Sequence, residues 1–520
     1  MKKIFTITIL ISISIISIAK EKPKLIVGIV VDQMRFDYIY RFWDDFGDNG
    51  FKRLINEGHF FRNCQFGYVP TYTGPGHASI FTGTTPAIHG IIANDWYDKN
   101  SGEYIYCTGD NKMNIIGFSK QNTAVSEDGK MSPHHMLTST FGDELKLFNT
   151  NSKVIGISLK DRGAILPAGH SANAAYWMGD DGKWITSSFY MQSLPDYIRK
   201  INDRNDVQKY LKGEWKFSED GLSHNLDSIF AQKGNSGIKR TPFGNSILKD
   251  LAIEIFKNEK LGQRENTDIL TVSFSSTDYV GHQYGPHAAE IKDTYLRLDK
   301  DIEEILKMID KKVGFKNSII FITADHGVVS EPKELLRRNI PAGYFDEMIM
   351  KKEVSDYLNT IYGSGDWIKN YSNNHLFLNH DLIEEKNINM QVIQRKCAKF
   401  FLKYKWVKNT YTAIQLNENE YQNSFHSLVQ RGYNQKRSGD VVVSLQTGWL
   451  KVYWRKGGTT HGSCFSYDTH VPLIFWGGDI PQGQTDRKVN IRDIAPTISN
   501  ILGISYPNGC TGNPLSEITE

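Results

Sequence analysis

Five runs of apolar, largely β-branched residues punctuate the chain: Leu25–Val31, Val154–Leu159, Ile269–Phe274, Ile319–Thr323 and Val471–Trp476. Each is continuously apolar rather than alternating, the pattern of a strand covered on both faces as in a parallel sheet. Helical spacing falls between them, as in Tyr295–Ile309, where apolar residues recur every three or four positions. Strand and helix in alternation predict an α/β fold with a mostly parallel central sheet and helices on both faces. Two stretches fit that rhythm poorly. The first, from about His170 to Arg240, is polar and rich in Asp, Gly, Ser and Trp; the second, from about Ser330 to Gly458, mixes amphipathic helices with Asn-rich loops and a late strand, Val441–Gln446. They predict insertions near residues 170–240 and 330–458 that fold over the sheet's edge, within a single domain spanning 20–520.

The first residues have another logic. Lys2 and Lys3 precede an apolar run from Ile4 to Ile18, and Ser17-Ile18-Ala19 closes it. That basic, apolar, small-residue order predicts a signal peptide over residues 1–19, cleaved after Ala19. The run is short for a membrane span, and polar Lys20-Glu21-Lys22 follows at once. The mature protein is therefore expected to be periplasmic or secreted, with no stable membrane insertion. At 40% hydrophobic and 23% charged residues the composition is that of a soluble globular protein. A net charge of only +3, without a basic block, argues against nucleic acid as a partner. Five cysteines allow at most two disulfides, and no Cys-x-x-Cys pair suggests a zinc or redox motif.

Ligands of an open α/β sheet bind beyond the carboxyl ends of its strands. Asp32 follows Val31; Asp278 and His282 follow the strand ending at Phe274; Asp325 and His326 follow Thr323; His461 lies in Thr459-Thr460-His461-Gly462, before the last strand. Three carboxylates and three imidazoles are thus delivered to one edge. Asp278 and His282, four apart, face the same way on a helical turn. Oxygen and nitrogen donors without thiolate suit zinc, with manganese or magnesium less favoured by three histidines. Six ligands exceed one catalytic zinc and match two ions at about 3.5–4 Å, the spacing that serves phosphoryl transfer. Thr73, in a loop running into a helix, stands at a capping position with small residues after it, where helix N–H groups favour an anion. Thr71 and Ser79 are rival hydroxyls.

Together these segments resemble the alkaline phosphatase superfamily: Val-Val-Asp32-Gln-Met, Thr73-Gly-Pro-Gly-His77, Thr277-Asp278-Tyr-Val-Gly-His282, Ala-Asp325-His326-Gly and Thr460-His461-Gly, in family order along nearly the whole mature chain. The resemblance implies an alkaline-phosphatase-like fold, with the insertions capping the active-site edge. It implies two Zn2+ ions, one on Asp278, His282 and His461 and the other on Asp32, Asp325 and His326, with Thr73 on the latter as the phosphorylated nucleophile. Asn94, Lys160 and Arg162 resemble the substrate-binding trio of phosphate-irrepressible alkaline phosphatases, which hydrolyse monoesters. Lys160 and Arg162, two apart on an expected extension of the Val154 strand, project to one side. Exported zinc-dependent hydrolysis of small phosphate monoesters by a monomer is the expected function. The alternative is a phosphodiesterase, nucleotide pyrophosphatase or phosphonate hydrolase with the same metals but without the Lys-Arg pair. A sulfatase would carry Cys/Ser-x-Pro-x-Arg where Thr73-Gly-Pro-Gly-His77 stands, a mutase would use Ser and manganese, and a lapsed, zinc-stabilised binding protein would hold phosphate without turnover. His77 and His89 are read as hydrogen-bonding supports of the nucleophile helix, His170 as structural, Cys464 as a small buried thiol, and Trp96 and Trp177 as lining the mouth of the site.

Overall fold

A computed structural model describes residues 21–117, 129–218 and 220–519; the signal segment expected over residues 1–19 lies outside them. All five apolar runs form strands, and every residue of β1 (Leu25–Val31) is buried, which requires cover on both faces. After β1 come β2 (His59–Gln65) and α1 (Thr73–Thr82), then β3 (Val154–Ser158), α2 (Asp161–Ala168), β4 (Ala174–Met178) and β5 (Trp184–Ser187). The second half supplies α3 (Phe243–Glu259), β6 (Asp268–Phe274), α4 (Ser276–Tyr284), α5 (Ala289–Lys312), β7 (Ser318–Thr323) and β8 (His470–Trp476).

Among the described residues these strands build an eleven-stranded sheet in the order Gly483–Thr485, β2, β8, β7, β1, β6, β3, β4, β5, Ile115–Ile116, with Val489–Asn490 beside β2. The block β7-β1-β6-β3-β4 is parallel, as expected. The run Val471–Trp476 differs: β8 pairs antiparallel with both β7 and β2. Continuous burial reports cover on both faces and is silent about strand direction.

The two irregular stretches part company. Within residues 170–240, β4 and β5 join the central sheet rather than folding over its edge, because short apolar segments such as Ala174-Ala-Tyr-Trp-Met178 are wholly buried amid polar flanks. The later stretch forms a four-stranded antiparallel sheet, in the order Ile368–Ser372, His375–Leu378, Val441–Leu445, Val407–Thr412. It has an apolar core of its own around Trp367, Ile393 and Phe401.

One buried acid gives the scaffold a pH signature. Asp301 on α5 is only 6% exposed and accepts from the Ser246 hydroxyl of α3 at 3.0 Å. Burial pushes its carboxyl up to about 7 from 3.8, with Glu304 and Asp250 adding and Lys249 opposing. The folded state thus holds a proton that the unfolded chain has already released, so stability is lost as pH rises from about 4 to about 7. Asp301→Asn removes that loss. It is expected to add up to about 4 kcal/mol at pH 8 and almost nothing at pH 4, read as the difference between melting temperatures at the two pH values.

Candidate active site

Strand register explains why the carboxylates meet. Val30 pairs with Thr323 and Val31 with Phe274, so one step beyond the paired residues Asp32 stands beside Asp325 and at the entry to α4. α4 then presents Asp278 and His282 from successive turns, with His282 Nε2 3.0 Å from Asp278 Oδ1. His461 arrives from the loop before β8, its Nε2 3.7 Å from Asp278 Oδ1 and its ring stacked on His326 with centroids 3.4 Å apart. Ligand atoms of Asp32, Asp325 and His326 lie within 4.8 Å of one another, and so do those of Asp278, His326 and His461. His326 therefore stands between two clusters, and all six residues selected from the sequence converge.

The imidazoles share one arrangement. Nδ1 of His282 lies 2.7 Å from the Thr459 carbonyl, Nδ1 of His461 2.7 Å from that of Thr71, and Nδ1 of His326 3.0 Å from that of Gly327. Only a protonated Nδ1 can donate to a carbonyl, so in the neutral form of each ring the lone pair sits on Nε2, the nitrogen on the carboxylate side. Burial pushes His326 down to about 3 and His461 well below its ordinary value. Burial pulls His282 down as well, but the charge and hydrogen bond of Asp278 together with the Thr459 carbonyl carry it up.

The carboxylates carry the opposite need. Asp32 Oδ1 and Asp325 Oδ2 are buried with no hydrogen-bond partner. Burial raises both groups, with Asp278 adding to the effect on Asp32, and Asp32 to that on Asp325. Asp278 is also buried, yet His282 and Lys160 hold it well below the usual carboxylate range. Orphaned carboxylate oxygens facing neutral imidazole lone pairs, with no thiolate, are the donor chemistry of a divalent metal. The residues fit such ions.

Thr73 heads α1, whose N-cap is Tyr72 rather than Thr73, and no side chain caps the helix. The Thr73 hydroxyl instead lies 3.5 Å from His326 Nε2. Its rivals are committed elsewhere: Thr71 Oγ1 donates to the Ser463 carbonyl at 3.1 Å, and Ser79 Oγ bonds His89 Nε2 at 2.9 Å. Glycine is required at position 76, where any Cβ would run into the Asp325 backbone carbonyl. That close approach sets the head of α1 against the end of β7.

Asn94 Oδ1 accepts from Gly74 N at 2.8 Å, which turns its amide NH2 away from the helix. Lys160 Nζ donates to Asp32 Oδ2 and Asp278 Oδ2, each at 2.6 Å, bridging the clusters and leaving a third N–H. Arg162 is not on a strand extension. β3 stops at Ser158, Lys160 is the N-cap of α2, and Arg162 sits in that helix's first turn. The apolar run ends at Leu159, and Asp161 at the first position favours a helix start that strand reasoning overlooked. Arg162 Nη1 donates to the Tyr106 hydroxyl at 2.9 Å, Tyr106 donates to Asp161 Oδ1 at 2.7 Å, and Arg162 Nε is buried without a partner.

His77 bonds the Thr73 carbonyl and Ser273 Oγ, each at 2.8 Å, and with His89 it supports α1. His170 bonds the Met136 carbonyl at 3.0 Å, away from the clusters. Trp96 and Trp177 do not line the mouth: they are 1% and 2% exposed, inside separate apolar clusters. Proximity in sequence to the site says nothing about which way a large ring turns. All five cysteines are unpaired thiols, Cys464 buried among them.

Gln33 escaped the sequence reasoning. Its Nε2 donates to Asp278 Oδ1 at 2.5 Å and its backbone N to Asp325 Oδ1 at 3.1 Å, from a left-handed φ of 66°. Nothing in an amide beside Asp32 signals such a role. Tyr106 was invisible for a different reason, since its bonds to Arg162 and Asp161 span more than fifty residues.

Fold and clusters together define a metallohydrolase of the alkaline phosphatase superfamily. Residues 26–465 match the model of the type I phosphodiesterase / nucleotide pyrophosphatase family. The chain belongs to that family. An alkaline phosphatase, PafA, of Elizabethkingia meningoseptica is 38% identical over 96% of this chain and 95% of its own length. A protein of Myroides odoratus named a calcium-transporting ATPase is 40% identical over the same shares. The crystal structure of wild-type alkaline phosphatase PafA superposes with a TM-score of 0.91 at 36% identity, covering 96% of this chain and all of that one.

Because Gln33 grips a ligand from each cluster, Gln33→Ala is expected to weaken divalent-metal binding by about 10- to 100-fold. Competition against a chromophoric chelator measures this, and unchanged affinity would remove Gln33 from the metal-orienting shell.

Proposed function

We propose that the chain is an exported alkaline phosphatase: a two-zinc phosphate monoester hydrolase acting through a phosphothreonine at Thr73. The observation that carries this reading is the Thr73 hydroxyl, spent on no cap, facing His326 at the junction of the two clusters. Asp278, His282 and His461 would hold one ion; Asp32, Asp325 and His326, with Thr73, would hold the other. Three imidazoles favour zinc over magnesium or manganese. Bound there, the ions would lower the pKa of the Thr73 hydroxyl and supply positive charge to the attacking and leaving oxygens.

The Thr73 hydroxyl gives its proton to solvent and Thr73 Oγ attacks phosphorus in line, the ester P–O bond breaks, and the departing alkoxide takes a proton from water. A second water then cleaves the phosphothreonine, returning Thr73 and releasing phosphate. The third N–H of Lys160, the unpartnered Nε of Arg162 and the NH2 of Asn94 bind equatorial oxygens, where transition-state charge gathers. The head of α1 adds its positive dipole end.

The competing reading follows the family's name, phosphodiesterase or nucleotide pyrophosphatase, with phosphonate hydrolysis beside it. Lys160 and Arg162 weigh against it. A charged hydrogen bond contributes about 1.5–3 kcal/mol, so two of them on oxygens that a diester esterifies favour monoesters by roughly 10²–10⁴. The ATPase name of the Myroides relative shares with this reading the transfer of a phosphoryl group to water. Among the described residues no helix is long and apolar enough to cross a membrane. The mature chain is read as a periplasmic or secreted monomer whose partners are small phosphate esters.

Turnover of an aryl phosphate against the matching diaryl diester, with zinc supplied and then chelated, tests the whole reading. A monoester preference of about 10²–10⁴, abolished by chelation, is expected. Lys160→Ala and Arg162→Ala should each erode it by about 10-fold or more. Thr73→Ala should cost about 10³-fold or more in turnover. Near-full activity of that variant would refute the mechanism, and a diester preference would move the chain to the competing branch.

A further inference from the structure

A cavity of about 270 Å³ lies against the outer side of the His461 cluster, between the core loops and the four-stranded sheet of the later insertion. Its walls include Tyr72, Phe345, Val442, Trp449 and Trp454, together with His461 itself. Two of the aromatic walls are tied to proposed metal ligands. Trp454 stacks on His282 with centroids 5.3 Å apart at 14°, and Tyr72, which immediately precedes Thr73, meets the His461 ring edge-on at 5.8 Å. The charged groups of the lining have local partners. Lys451 Nζ sits 2.6 Å from Glu347 Oε2, and Asp468 accepts from the Gly462 and Ser463 amides at 3.1 and 2.7 Å.

We infer that this cavity is the subsite for the alcohol part of the ester, and that it selects phosphate monoesters carrying a neutral, planar one- or two-ring group. The inference rests on the proposed phosphatase reading. In-line attack by Thr73 sends the leaving oxygen away from Thr73, toward Asp278, His282 and His461, and whatever that oxygen carries must lie beyond them. There the chain offers aromatic faces and edges, which pack rings, and a volume that suits one or two rings. With Lys451 already neutralised by Glu347, no free cation waits for a second phosphate, so nucleoside triphosphates are disfavoured.

The test compares esters whose alcohols are alike in acidity, 2-phenylethyl phosphate and ethyl phosphate, on the zinc-loaded enzyme. Burial of one ring predicts a kcat/KM ratio of about 10- to 100-fold in favour of the phenyl ester. Ser444→Phe, which fills the cavity from the insertion sheet, and Phe345→Ala, which strips a wall from another strand, should both pull the ratio toward one. Saturation-transfer NMR should show 2-phenylethanol bound to the intact protein and released in Ser444→Phe, a readout independent of turnover. A ratio near one in the intact enzyme, a high ratio untouched by both variants, or preference for ATP over the phenyl ester overturns the inference. If zinc supports turnover of neither ester, it is the phosphatase reading that has failed.

Discussion

Three carboxylates crowded into one buried edge are the constraint on which the rest of the structure depends. Each of Asp32, Asp278 and Asp325 is at most 3% exposed. Desolvated like charges a few ångströms apart repel strongly, and burial alone disfavours each of them. A single lysine, Lys160, bridges two of the three and leaves Asp325 facing Asp32. The remaining negative charge calls for cations, and neutral imidazole lone pairs complete the demand. Positions of Thr73, the Lys–Asp bridge and the loop carrying His461 all follow from holding that edge together.

Rigidity at the edge comes from backbone rather than from further charge. Parallel pairing of β1 with β6 and β7 places two of the aspartates in adjacent register. Main-chain carbonyls of Thr71, Thr459 and Gly327 each take one imidazole N–H, so ring orientation is set by the loops that bear those carbonyls. Gln33 spans both clusters from a strained left-handed conformation, tolerated because its amide and backbone N–H are both committed. Such an arrangement has little freedom to relax around an altered ligand.

Much of this was legible in the chain because it is local. Continuous apolar runs mark strands, and the polar residues at a strand's end mark what reaches the sheet edge, so the meeting of Asp32, Asp325 and His326 could be anticipated without coordinates. Asp278 and His282 declare themselves by helical spacing, which α4 bears out. Direction and long-range pairing are not local. Nothing in Val471–Trp476 says antiparallel, nothing in Lys160-Asp161-Arg162 says that the helix begins at once, and Tyr106 meets Arg162 only in three dimensions. Trp96 and Trp177 show the converse error: nearness along the chain to a site is not nearness to its opening.

The geography of the site bears on how one metal scaffold serves several chemistries. On the proposed assignment, every carboxylate and imidazole ligand stands just beyond β1 or β7, on α4 or in the loop before β8, and Thr73 joins them from the head of α1. The groups proposed to recognise the phosphoryl oxygens come from elsewhere, Asn94 from the segment after the nucleophile helix and Lys160 and Arg162 from the start of α2. Arg162 is held there by the Tyr106 hydroxyl, which in turn donates to Asp161, itself on α2. A change at α2 can therefore alter which oxygens are bound while the carboxylate register stays intact. Lys160 is the exception, since it answers to both shells: remove it and two buried carboxylates lose their common partner as well as the substrate. On that assignment, specificity would be separable from metal binding at Arg162 and Asn94, and inseparable from it at Lys160.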